Sequence, residues 1–122
     1  MHGAIDSIPL EMKQGGIETR GVDWGGTTVR VVSLPPGVDF TPLFVGLPGD
    51  LCQCPHWGRV QRGSIHVRYA DGSEEVTAAG ELYFWPAGHT GWSGPDGVDF
   101  LEFSPTDEIT PVLMHLADQM AG

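Results

Sequence analysis

The sequence predicts an all-β domain that ends in one short helix. Three observations carry this expectation. Of 122 residues, 18 are glycine and 10 proline, enough turn-formers to divide the chain into many short elements. Runs of β-branched and aromatic residues recur between those turns at intervals of about 8–12 residues. Only the tail changes period, with Leu113, Leu116, Ala117 and Met120 at helical spacing.

Taken in chain order, residues 1–18 show no strong periodicity and read as a loose arm or an edge strand. Thr27 to Ser33, TTVRVVS, is a strand bounded by Gly25-Gly26 and Pro35-Pro36. Phe40 to Val45 is apolar but holds Pro42, so it is at best an edge strand or an extended connector. Val60-Gln61 and Ser64 to Ala70 flank Gly63 as strand, bend and strand. Asp71-Gly72 then turns the chain back into Glu74 to Thr77. Gly80 opens the strand LYFW, closed by Pro86-Ala87-Gly88, and Val98 to Phe103 forms the last strand. Thr110 is placed to cap a helix, with Pro111 at its first position; we expect this helix to pack on the outside of the β structure. Six to eight short strands of this kind make a sandwich or a barrel, and periodicity does not choose between them.

A chain of this length has room for one domain of the common size, about 100–150 residues. We expect an arm over 1–18 and the folded domain over 19–122, with its helix from about 110. Six basic residues against sixteen acidic ones give a formal charge of −10, which repels phosphate backbones and anionic lipid surfaces. Neither nucleic acid nor membrane is an expected partner. The start, MHGAIDSIPLEMKQGG, has no signal-peptide pattern, and no segment reaches the ~20 apolar residues of a membrane helix, so the expected location is the cytoplasm. Cys52 and Cys54 are the two cysteines. At this spacing in extended chain a bridge between them is strained, which favours free thiols or metal ligands.

The element Gly80-Glu-Leu-Tyr-Phe-Trp-Pro86-Ala-Gly88-His89 resembles the second motif of the cupin superfamily: a glycine, five residues, Pro-x-Gly, and a histidine. Val60-Gln-Arg-Gly63, followed by an alternating strand and Asp71-Gly72, resembles the end of the first motif and the hairpin joining the two. The resemblance covers residues 27–104 and is to small bacterial single-domain cupins. It implies a conical jelly-roll barrel, commonly dimeric, with metal and ligand bound inside. The chain also departs from the pattern. Counting back from Gly63, the usual glutamate ligand falls on His56 and the two usual histidines on Asp50 and Cys52; the usual histidine of the second motif falls on Gly91, with His89 directly after Gly88.

Asp50, Cys52, Cys54 and His56 alternate, so in an extended segment they share one face, and that face can approach His89. Cys52, Cys54, His56 and His89 are therefore the candidate metal ligands. Two thiolates with two imidazoles suit zinc, and iron with fewer thiolates is an equal alternative. The competing reading is inert: buried cysteines commonly serve as small apolar groups, and a lone histidine near a turn is commonly just hydrogen-bonded. Trp57, Tyr83 and Trp85 are candidates for lining a ligand pocket, or else plain core. Glu102, in FLEFS, is the candidate general base, with a pKa raised by burial; the competing reading is a solvated edge carboxylate. His66 and Arg68 alternate with Ile65, Val67 and Tyr69 and belong outside. His115 and His2 fall away from the site. Three classes of function follow, in order: a metal-dependent oxygenase or isomerase acting on a small organic molecule, a non-enzymatic metal or ligand sensor, and a metal-free barrel that mainly dimerises; among other chemistries, a nucleophilic Cys52 or Cys54 activated by His56 ranks third.

Overall fold

The computed structural model describes residues 1–121, and its strands fall between the turn-forming glycines. β1 (Leu10–Gln14), β2 (Ile17–Trp24) and β3 (Thr27–Leu34) form a meander. Gly15-Gly16 and Gly25-Gly26, all four at positive φ, make the two-residue turns that join them. β4 (His56–Tyr69), β5 (Glu74–Ala78), β6 (Leu82–Trp85) and β7 (His89–Pro105) follow, and a helix, α1 (Thr106–Ala121), ends the described chain. The strand order is β1-β2-β3-β7-β4-β5, with β6 added on β4, and every pairing is antiparallel.

Two long strands shape this sheet. β4 pairs with β6 through His56–Arg59 and with β5 through Ser64–Arg68, while β7 runs beside it almost throughout. Register breaks at Val60/Arg62 and Gly63/Ile65 bend β4 between those halves. Gly63 sits at φ +72, and a Cβ there would meet the Gly97 carbonyl oxygen at 2.0 Å, so only glycine permits this crossing. The bend folds the sheet over itself. Val32 and Leu34 of β3 consequently share one core with Ile65 and Val67 of β4, Tyr83 and Trp85 of β6, and Val98 and Phe100 of β7. Hydrogen bonding does not close the sheet, whose ends are β1 and β5.

The expected bend at Gly63 and the return strand are present, but β4 is one continuous strand, and β7 begins at His89, well before the expected Val98. β2 was not anticipated. Phe40 to Val45 is not extended: Thr41–Phe44 is a 3₁₀ turn with Pro42 in its opening positions, where a missing N–H costs nothing. The helix starts at Thr106, four residues before the expected cap, with Asp107 and Glu108 at its positively polarised N-terminus. Pro111 lies inside it, and Thr110 is bonded back to the Thr106 carbonyl rather than capping. α1 packs by one face: Ile109 and Val112 are buried with Phe44, Cys52 and Cys54, while Asp107, Glu108, Thr110 and Met114 are exposed.

Candidate metal centre

Strand alternation decides which side chains enter the concave face. On β4, β6 and β7 the inward set is His56, Val60, Tyr83, Trp85, Phe100, Glu102 and Ser104; Trp57, Leu82, Phe84 and Phe103 point out. His56 is paired with Trp85, and its ring meets His89 at 5.0 Å between centroids. Cys52 arrives from the long β3–β4 connection and is stapled to the start of β7. Its N–H donates to the His89 carbonyl at 2.8 Å, and its own carbonyl accepts from Gly88 and His89. The Cys52 thiol and the His56 and His89 rings each offer a ligand atom, and the three atoms lie within 4.8 Å of one another.

The hydrogen bonds around this cluster select the tautomers. His56 Nδ1 lies 2.7 Å from Ser104 Oγ and 3.4 Å from a Glu102 oxygen, and His89 Nδ1 donates to the Pro86 carbonyl at 2.7 Å. Each ring thus keeps Nε2 free, and that of His56 is 3.5 Å from Cys52 Sγ. This is the outer arrangement that orients a metal-binding histidine. Burial, together with the Glu102 charge, pushes the Cys52 thiol up to about 12. Burial also lowers His56, and lowers His89 to about 4, the latter helped by the neighbouring His56. At neutral pH both rings are uncharged and the thiol keeps its proton. A thiol so raised is not an activated nucleophile in this protonation state.

Glu102 is buried but does not behave as the raised acid the sequence suggested. Burial raises its pKa, and the contacts with His56 and Arg30 outweigh that and hold it below the ordinary carboxylate value; of the two, Arg30 is the partner that carries a charge at neutral pH. Arg30 Nη1 donates to Glu102 at 3.0 Å and its Nε to Glu11 at 3.2 Å. The solvated-edge alternative fails as well, because Glu102 is 5% exposed.

Of the four candidate ligands, three converge; Cys54 does not join them. Asp50 (φ +57) closes a 3₁₀ turn, so the alternation assumed from Asp50 to His56 never forms. The Cys54 thiol donates instead to the Pro55 carbonyl and packs against α1 residues Ile109 and Val112. Among the candidate pocket aromatics, Trp85 lines the cavity beside the cluster, which has a volume of about 270 Å³. Tyr83 is core, its hydroxyl donating to the Leu101 carbonyl, and Trp57 is on the outer face, 47% exposed and stacked on Phe84. Arg30 and Ser104 were not anticipated. The available signal was a charge at the centre of TTVRVVS, on the same side as Thr28 and Val32. His66 and Arg68 do lie outward, stacked on Trp92, and His115 is on the helix, bonded to the Val45 carbonyl.

With this geometry in hand, comparison with solved structures identifies the fold. The chain resembles an RmlC-like cupin from Shewanella frigidimarina at 19% identity and a TM-score of 0.58, covering 82% of this chain and 86% of that one. It resembles a putative ethanolamine utilization protein from Salmonella typhimurium at 16% identity and a TM-score of 0.58, covering 79% and 78%. A variant of oxalate decarboxylase from B. subtilis matches at 18% identity and a TM-score of 0.59, with 85% of this chain spanning 30% of that one. No family model and no curated protein sequence matches. The chain has the cupin fold, as the Gly80–His89 motif led us to expect.

Proposed function

We propose that this chain is a small metallo-cupin that holds one divalent transition metal, zinc or iron, through Cys52, His56 and His89. A small organic ligand would bind in the adjoining cavity. The observation that carries the reading is the convergence of three ligand atoms with both imidazole Nδ1 positions already occupied. The donor set fits the ion: two neutral imidazole nitrogens and the sulfur of a thiol that gives up its proton on binding leave a fourth tetrahedral position open. An open position suits an enzyme, and metal-assisted oxidation or isomerisation is the reaction class we favour. A bound metal would supply Lewis-acid polarisation of a ligand oxygen. Glu102 and Ser104 hold His56, Arg30 holds Glu102 ionised, and the apolar walls exclude water.

We further propose that the curled sheet is the conical jelly-roll barrel of cupins, that residues 19–122 form its domain with 1–18 as an arm or edge, and that it works in the cytoplasm. No helix among the described residues is long and apolar enough to cross a membrane. A homodimer is supported by the outer face, where Trp57, Leu82, Phe84 and Phe103 are 47, 81, 49 and 36% exposed and the first, third and fourth lie in one cross-strand row. Metal analysis of the purified chain and its ligand variants tests the central assignment.

A further inference from the structure

The second half of α1 borders the cavity with apolar side chains that the fold covers only in part. The first half of the helix is anchored. Ile109 and Val112 are buried, the Thr106 N–H donates to the Gly26 carbonyl at 2.9 Å, and the Thr106 hydroxyl lies 2.9 Å from that of Thr28. Beyond Val112, the one side-chain hydrogen bond from the helix to the rest of the described chain is His115 Nε2 donating to the Val45 carbonyl at 2.9 Å. Leu113, Leu116 and Met120, which line the cavity, are half-buried. The remaining wall is largely apolar as well, with Phe40, Phe44, Val67 and Phe100. Apolar groups that border a space without filling it have dispersion contacts still to gain, and an apolar molecule supplies them.

Charge narrows what this cavity accepts. Arg30 is the one lysine or arginine lining it, and both carboxylates there, Glu102 and Glu11, already bond that guanidinium. The other Glu102 oxygen faces His56. Arg30 Nη2 makes no hydrogen bond among the described residues, yet the charge it shares is opposed twice: one cation against two carboxylates leaves the wall negative. A divalent ion with the Cys52 thiolate would bring the total to neutral, not to positive. A carboxylate entering from water therefore meets no net counter-charge in either state. An apolar cavity of about 150 Å³ takes up benzene, so one of about 270 Å³ has room for a ring with a short side chain.

We propose that the cavity binds an uncharged, predominantly hydrocarbon small molecule, against which Leu113, Leu116 and Met120 of α1 pack. This rests on the reading of the cavity as a ligand site beside the metal, and it names the class of ligand. The three α1 side chains are then specificity-determining contacts. They select apolar surface, while the paired charges around Arg30 turn anions away.

Ethylbenzene and benzoate, similar in size and different in charge, separate the terms. Binding of each to the whole chain is followed by NMR at neutral pH, with and without added zinc, on the assigned methyl resonances of Leu113, Leu116 and Met120. Ethylbenzene should move those methyls and bind at least about tenfold more tightly than benzoate in both conditions. Leu116→Asn should weaken ethylbenzene at least about fivefold and leave zinc content unchanged. Benzoate binding as tight as that of ethylbenzene, no ethylbenzene binding, unmoved α1 methyls, or unaltered ethylbenzene affinity in Leu116→Asn overturns the proposal. If Leu116→Asn does not fold, the wild-type methyl shifts decide. The two readings fail separately: ethylbenzene binding by a protein that takes up no zinc defeats the metal assignment alone, and a zinc-loaded protein blind to ethylbenzene defeats this inference alone.

Discussion

Glu102 and His56 meet 3.4 Å apart in the buried floor of the folded sheet, on the neighbouring strands β7 and β4. The contact joins two systems: on one side the carboxylate accepts from Arg30, and on the other it holds the imidazole whose far nitrogen faces Cys52. A change at either residue therefore reaches both the fold and the site.

Removing Glu102 leaves Arg30 buried with half of its partners. Glu102→Leu should therefore cost about 3–5 kcal/mol in denaturant unfolding, the range for breaking a buried pair. Arg30→Met combined with Glu102→Leu should recover much of that loss. A single-variant cost below about 1 kcal/mol, normal for an exposed pair, contradicts this account of the floor.

Metal affinity should rise with pH. In the metal-free protein the Cys52 thiol, pushed up to about 12, is protonated at neutrality, whereas the bound form is thiolate. His89, lowered to about 4, and His56, also lowered, hold no proton to lose in this range. Binding thus releases about one proton, and affinity should increase about tenfold per pH unit between roughly pH 6.5 and 9. Calorimetry in buffers of different ionisation enthalpy gives the proton count; a count near zero removes Cys52 from the ligand set.

Two glycines at similar φ should differ in tolerance. Gly72 at φ +87 faces open space, so Gly72→Ala should cost about 1–2 kcal/mol, the strain of the left-handed backbone alone. Gly63→Ala adds the clash with the Gly97 carbonyl and should cost about 1–3 kcal/mol more. Equal thermal shifts in the two variants would show that β4 does not need its bend.

The outer aromatic row gives a test of assembly. Trp57→Lys with Phe84→Lys should convert a particle of twice the 13.1 kDa chain mass into one of single mass in sedimentation, with metal content unchanged. Unaltered mass assigns that surface another role.

Local signals carried much of the fold. Gly80 to His89 led to the fold family, Gly63 to the bend, and Asp71-Gly72 to the hairpin, because each of these positions is fixed by backbone conformation that few residues adopt. β2 escaped notice because Glu18, Arg20 and Asp23 interrupt its apolar residues, and its place is set by pairing with β1 and β3. Within the site, Cys52, His56 and His89 were legible as a converging group, but the route by which they converge was not. It depends on the Cys52–His89 bridge, a contact across 37 positions, and not on the alternation that had included Cys54. Arg30 was invisible for a related reason: an arginine inside a strand becomes tolerable only when Glu102 and Glu11 are brought to it by tertiary structure.

The most direct measurement is elemental analysis of metal per chain in protein purified without added metal, compared with Cys52→Ala, His56→Ala and Cys54→Ala. The account predicts about one zinc or iron per wild-type chain, lost in Cys52→Ala and His56→Ala and retained in Cys54→Ala. A metal-free wild type that also fails to take up zinc or ferrous iron, with all three variants folded, would contradict it.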